Sequence, residues 1–576
     1  MSDSIHDKKE MSRAWNIEEL VCYIIELAAL HPRVYEATTI SEAFEVDLQT
    51  LSALARTSRA IGELALHRLW QRQWGLGNLV RCMRSDGDTP WTEVTTEGFS
   101  GAHLEFVRTP LSGEWARFHY YARRIKRLDF ITSDISNGYT ALSPDAFHML
   151  SRHGTLFPNV ECLHWSIHAV GHEAMAFFIM FLGPRLTDLS ISTHACNSHR
   201  NNAPDESVMQ DLENNIKLYP QLQNLGLYMF GSALCAEKLL NILARLNDLR
   251  AFNCYMENTP LPRAILPILA SFPRLGSLDL AIESPEADRA PGVPLLQPDD
   301  AVSAGSPVNF ETLKRLNLRA FTVPPCVDAL KAIEAPNINR VTICATIASD
   351  LQSMSQAISD RCQRSGARLY EIIWHDAYIE SDGLDIGEDP HDIVTIHTLR
   401  PLFKFEYLVT LEITLPCTFD LTDEDLGEVA HAWPCLRKLS LGPARWNRRS
   451  KITLDGLAVL IDLCPDLTVL DIAIDATNPT NCAEPYRIEH PNPEIYSIGV
   501  ADSVVSDPVE VAARLGYMLP NLTVIDVAEM GGAEMGEVDN TLSALWSAVE
   551  SHLPVNAATD AEDSDADDSQ TMDVCE

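Results

Sequence analysis

One phrase keeps returning along this chain: a chain-reversing residue, then L-x-x-L-x-L in apolar form. It reads Pro273-Arg274-Leu275 to Leu278-Asp279-Leu280, and again Pro465-Asp466-Leu467 to Leu470-Asp471-Ile472. Thirteen copies can be counted, with first apolar positions Ile125, Val160, Leu186, Leu222, Leu249, Leu275, Leu313, Ile338, Leu369, Leu408, Leu436, Leu467 and Leu522. Most steps fall between 25 and 39 residues. A unit of that length cannot bury its own apolar face, so its neighbours must stack on it. Each phrase alternates apolar and polar residues, as a half-buried strand does. A helical pattern usually follows, as at 173–182, 234–246, 327–333, 421–433, 454–463 and 509–519. The expected fold class is therefore α/β, a solenoid with parallel strands inside an arc and helices outside it.

The period differs at the two ends. Residues 1–13 are polar and expected to be disordered, and 14–83 read as a separate helical unit. There Leu20, Ile24 and Leu27 fall at i, i+4 and i+7, then Leu48, Leu51 and Leu54 at steps of three, with Asp47 placed to cap the second helix. Residues 84–120 read as a connector, 121–556 as the repeats, and 557–576 as an acidic disordered tail. The repeat spacing breaks at 282–308, 376–398, 475–505 and 529–540, where long loops on a rigid scaffold would carry binding.

Charge narrows the partners. The net charge is −37, and the eight acids and no base of 560–576 leave −29 for the remainder. Phosphate backbones and anionic lipid bind through clustered Lys and Arg, so neither nucleic acid nor a membrane is an expected partner. The longest strongly apolar run, 174–182, has nine residues, against ~20 for a membrane span. The first residues lack the apolar core of a secretion signal, and the fourteen cysteines are scattered, so reduced thiols in the cytoplasm or nucleus are expected.

Catalytic patterns are missing too. His172-Glu173 begins like a zinc-protease helix without its second histidine, and the strand phrase around His164 breaks the alignment of His164, His168 and His172. Gly75-Leu76-Gly77 has neither a third glycine nor a strand before it. No catalytic residue, metal or cofactor is expected, and the chain does not read as an enzyme.

The repeats resemble leucine-rich repeats of the longer, helix-containing type. That family usually sets Asn or Cys three residues after the last leucine, whereas this chain has His168, Phe230, Ala444 and Asp475 there. The helical unit resembles an F-box: Asp47-Leu48-x-x-Leu51-x-x-Leu54-x-x-Thr57-Ser58-Arg59, then Ala65-Leu66-x-x-Leu69-Trp70, preceded by Glu19, Leu20, Ile24 and Ile25. Such a pairing implies the substrate-recognition subunit of a Skp–cullin–F-box ubiquitin ligase, which holds its target close to the ubiquitin-loaded enzyme and does no covalent chemistry. Leu20, Ile24, Ile25, Leu48, Leu51 and Leu54 would face the Skp-family adaptor, and through it a cullin. The alternative is an interaction scaffold whose F-box no longer binds the adaptor, because Asn16-Ile17 replaces the family's Leu-Pro start and 29–46 form an insert.

In each phrase the residue between the last two apolar positions should point out of the sheet. This column holds Asp129, Asp279, Glu412, Asp471 and Asp526 and no Lys or Arg, so a basic or polar protein target is expected there. Tyr228 and Tyr255 are the aromatic anchors expected beside it.

Overall fold

The computed structural model describes residues 23–25, 30–32, 44–46, 48–85, 87–95, 102–130, 141–154, 156–166, 172–193, 203–229, 231–256, 261, 264–282, 307–362, 368–376, 392–415, 417–442, 446, 449–477, 488–527 and 537–554. They belong to two compact units, 1–248 and 249–576. The predicted termini 1–13 and 557–576, most of the predicted inserts 282–308, 376–398 and 529–540, residues 478–487 of the insert 475–505, and Leu20, Leu27 and Asp47 lie outside the described residues.

Each unit is built on a parallel ladder. In the first, β1 (Arg72–Trp74), β2 (Arg127–Phe130), β3 (Cys162–Ser166), β4 (Asp188–Ser192) and β5 (Asn224–Met229) pair in chain order. In the second, ten strands do the same: β6 (Ala251–Met256), β7 (Ser277–Ala281), β8 (Arg315–Thr322), β9 (Arg340–Ile347), β10 (Glu371–His375), β11 (Thr410–Thr414), β12 (Lys438–Leu441), β13 (Val469–Ile472), β14 (Ser497–Ala501) and β15 (Val524–Val527). Crossover helices join them, and consecutive helices such as Ala203–Asn215 with Ala233–Leu243, and Asp423–Ala432 with Leu454–Leu463, pack side by side. The architecture is α/β, a strand–helix ladder of leucine-rich-repeat type.

All thirteen phrases open a strand, and every strand begins two residues after the first apolar position. The apolar positions of the phrase are buried, as with Leu186, Leu189 and Ile191 or Leu436, Leu439 and Leu441. Two further strands escaped the pattern. β14 follows Ile495-x-x-Ile498-x-Val500, a clean copy inside the break predicted at 475–505. β1 follows Trp70, but the buried position after it is Gln73, whose amide satisfies itself by donating to the carbonyls of Leu69 and Arg72. The ladder thus starts inside the segment read as the helical head, and the connector 84–120 contains an antiparallel hairpin, Trp91–Thr95 with Ala102–Phe106, and the helix Ser112–Ala122.

Two kinds of bond recur along the ladders. At most strand entries one carbonyl of the preceding repeat accepts two consecutive N–H groups: Lys126 from Glu161 and Cys162, Thr187 from Gln223 and Asn224, Tyr370 from Val409 and Thr410. Asparagines just before the phrase also reach back one repeat, Asn159 to the Arg123 carbonyl, Asn337 to Glu311 and Asn521 to Pro493. These pairings give the turn groups partners and tie each repeat to the one before it.

The cores are aromatic at intervals. Phe130, Phe147, Trp165 and Phe181 interlock in the first unit, with centroids 4.5 to 6.3 Å apart. In the second, Trp374, Trp433, Trp446 and Trp546 are fully buried. The helix Glu537–Ser551 closes the last strand: its Trp546 indole donates to the Ser503 carbonyl at 2.8 Å, and the Glu550 carboxylate accepts the Ile525 N–H at 3.0 Å. An occupied edge donor removes a template for pairing with another chain.

Candidate functional site

The helical head belongs to the first unit. Its helices Leu48–Leu54 and Arg59–Gln71 pack around Ile25, Leu51 and Ala65, with Leu54, Ala55, Ile61, Leu64 and Leu69 partly buried against them. Ser58 caps the longer helix, its hydroxyl accepting the Ile61 N–H at 3.3 Å. Gly62 lets the two helices approach, because a Cβ there would sit 2.8 Å from the Ala55 carbonyl oxygen.

The residues expected to face an adaptor divide between two environments. Ile25 and Leu51 are core and Leu54 is half-buried. Ile24 and Leu48 are 42% and 49% exposed, and Tyr23 beside them 59%. Three large apolar side chains of so small a head are thus left exposed around a packed centre.

The head is locked to the ladder. Trp70 stacks on Tyr121 at 4.5 Å, while Glu63 accepts from the Tyr120 hydroxyl at 2.8 Å and pairs with Arg124 at 2.6 Å. The Tyr120 hydrogen bond, followed by that from Arg124, holds the Glu63 carboxyl below its ordinary range. At the junction, Asp129 receives Arg72 from β1 at 2.7 Å, Arg127 at 3.0 Å and His164 Nδ1 at 2.9 Å. Burial alone would raise the Asp129 pKa, but the His164 hydrogen bond and the charge of Arg127 outweigh it and hold it at about 2.

The outward column lies in strand register. Asp129 aligns with His164, Ser190 and Gly226 in the first unit. In the second, Asn253 aligns with Asp279, Asn317, Thr342, Ile373, Glu412, Ser440 and Asp471, and Gly499 with Asp526. Expected to meet a target, Asp129 is instead fully buried, because Arg72 arrives from the unanticipated strand β1 and closes over it. Tyr228 and Tyr255 are half-buried.

Along β7 to β10 the charges pair. Asp279 takes Arg319 at 3.1 Å and the Asn317 amide at 3.0 Å, and Arg340 meets Glu371 at 3.1 Å. From β11 onward acids are in excess. Glu412 takes Lys438 at 2.7 Å, while Asp471 and Asp526 have no ion pair among the described residues. Burial, with Glu412 and Asp526 nearby, keeps the Asp471 carboxyl above its ordinary range against the pull of Ser440 and Lys438. The neighbouring outward positions Val469 and Val524 are 39% and 43% exposed, and Tyr496 is 57% exposed. These exposed apolar positions were not anticipated. Their signal is that β13 and β15 open on valine where β12 opens on Lys438.

One Cys–His contact invites a chemical reading. Cys344 Sγ lies 2.9 Å from His375 Nε2 and 3.4 Å from Asn317 Oδ1. Burial pushes the thiol up to about 12 and lowers His375, so the sulfur stays protonated and the imidazole neutral. A protonated, buried thiol is neither nucleophile nor metal ligand. Among the described residues no group of three or more His, Cys, Asp or Glu is placed to hold a metal, and no helix is long and apolar enough to cross a membrane.

No protein-family model matches the sequence, and no curated protein matches it. Among solved structures, an internalin of Listeria monocytogenes is similar at 11% identity and TM-score 0.32, covering 67% of this chain and 90% of its own. The complex of Rad7 and Elc1 from yeast is similar at 16% identity and TM-score 0.36, covering 72% and 79%. Both are distant likenesses.

Proposed function

We propose that this chain is a non-catalytic substrate receptor of a Skp–cullin–F-box ubiquitin ligase, working in the cytoplasm or nucleus. The head docks a Skp-family adaptor, which brings a cullin, and the strand face holds a protein target. The observation that carries the reading is the exposure of Tyr23, Ile24 and Leu48 beside the packed core of Ile25, Leu51 and Ala65. The Leu48 phrase resembles an F-box, and the contacts of Trp70, Glu63 and Asp129 attach the head to the repeats of the first unit. On the strand face, Asp471 and Asp526 together with the exposed Val469 and Val524 favour a target segment that is basic and amphipathic.

The test is co-expression with a Skp-family adaptor and pull-down of the wild type, Ile24→Asp with Leu48→Asp, and Leu51→Asp. Wild-type capture lost in the surface pair, with its melting profile intact, supports the receptor. Leu51→Asp unfolds the head and so serves as the control for indirect loss. A wild type that captures no adaptor leaves the interaction scaffold as the better reading.

A further inference from the structure

In the helix layer of the second unit, an open groove of about 910 Å³ runs between the segment 403–406 and the helix Asp423–Ala432. Phe403, Glu406, Glu424, Gly427, Glu428 and His431 line it. Its floor is apolar and fixed: Phe403 stands edge-on to the buried Trp433, with centroids 5.2 Å apart.

Gly427 is the one lining residue without a side chain. A glycine inside a helix weakens that helix, so its presence calls for a reason. Backbone conformation supplies none, because Gly427 has no positive φ. Packing supplies none either: a Cβ would meet only Val459 Cγ1 at 3.8 Å, an ordinary contact. What the missing side chain does is leave the floor open.

The polar lining is all acceptor. Glu406 and Glu424 are exposed. Glu428 is held by Arg400 through two bonds of 3.1 and 3.0 Å. His431 Nδ1 donates to the Gly427 carbonyl at 2.7 Å, so in the neutral ring Nε2 is left as an acceptor. No Lys or Arg belongs to the lining.

An apolar, ring-floored slot rimmed by acceptors suits a planar, delocalised cation on an aliphatic stem better than a compact ammonium. We propose that this groove is a docking site for one arginine side chain of a protein partner. The stem runs over Phe403 and Gly427, and the guanidinium is shared between Glu406 and Glu424. The site lies in the helix layer and not on the strand face, and it does not depend on adaptor docking.

The test uses the full chain and a phage-displayed heptapeptide library with arginine fixed at the centre. Peptides retained by the wild type should be lost on Gly427→Leu, which fills the groove, and on Glu406→Lys with Glu424→Lys. They should weaken at least about ten-fold when citrulline replaces the arginine, since only the charge is lost. Asp466→Lys, an exposed carboxylate outside the groove, should leave binding unchanged. If Gly427→Leu melts early, Gly427→Ala serves in its place, with a smaller loss of binding in a protein at least as stable. The proposal is overturned if no peptide separates the wild type from the groove variants, if citrulline binds equally well, or if Asp466→Lys weakens binding as much. Self-association in ultracentrifugation that Glu424→Lys abolishes would give the groove to a second copy of the chain and equally overturn it.

Discussion

Asp129→Asn separates a structural carboxylate from a target contact. Asp129 is fully buried among Arg72, Arg127 and His164. A pKa of about 2 against the ordinary 3.8 corresponds to about 2 kcal/mol of stabilisation. Removing one partner of a buried pair can cost about 3–5 kcal/mol, but that figure applies when the remaining charge stays dry. Here the side chains of Arg72 and Arg127 are 47% and 39% exposed, so water can take over part of the lost interaction and the lower value should hold.

The natural assay is amide exchange over 72–75, where the Gly75 N–H donates to the Asp129 carbonyl at 2.9 Å. A loss of about 2 kcal/mol should accelerate exchange there roughly 30-fold at pH 7. The pKa is depressed, so the stabilisation is complete above the unfolded value near 3.8 and disappears as pH falls towards 2. The ratio of variant to wild type should shrink over that window. A ratio below about threefold at pH 7, or one that does not change with pH, would refute the ion network as the clamp between β1 and β2. If Asp129 met a target instead, the variant would keep its protection and lose only binding.

Two further outcomes follow from particular contacts. Gly62→Ala would put a Cβ 2.8 Å from the Ala55 carbonyl, forcing the head helices apart at a cost of about 1–3 kcal/mol, and adaptor capture in pull-down should fall with it. In maleimide labelling at pH 8 read site by site, Cys435, the exposed thiol among the described residues, should react well ahead of buried Cys344 and Cys254, whose thiols burial raises and which should stay unlabelled until the chain unfolds.

Most of the ladder was legible because its signal is apolar. Positions such as Leu186, Leu189 and Ile191 must be buried together, and the two-residue offset to each strand follows from the turn that brings the chain in. The strands that escaped did so for opposite reasons. β14 is a regular phrase that the long step from Leu467 to Leu522 conceals, since that step has room for two repeats. β1 breaks the pattern itself: Gln73 occupies a buried position, and its ability to satisfy its own amide locally cannot be seen in a one-letter string.

The candidate surfaces were only half legible, and the physical reason is pairing. A column of alternate residues can be written down from the phrase alone, and the register places it as expected. Whether a carboxylate in that column is available to a partner depends on cations two residues or a whole repeat away. Asp129 lost its availability to Arg72, which lies 57 residues earlier in the chain. Asp279 is committed to Arg319, 40 residues later. Asp526 keeps its exposure because its hydroxyl neighbour, Ser497, brings no charge. Five acids of the same apparent rank therefore divide into a buried clamp, two surface pairs and two carboxylates without an ion pair. The same logic places the groove beyond sequence reading. Gly427 and Phe403 are unremarkable in their own segments, and only the crossing of 403–406 with the helix Asp423–Ala432 makes a slot of them.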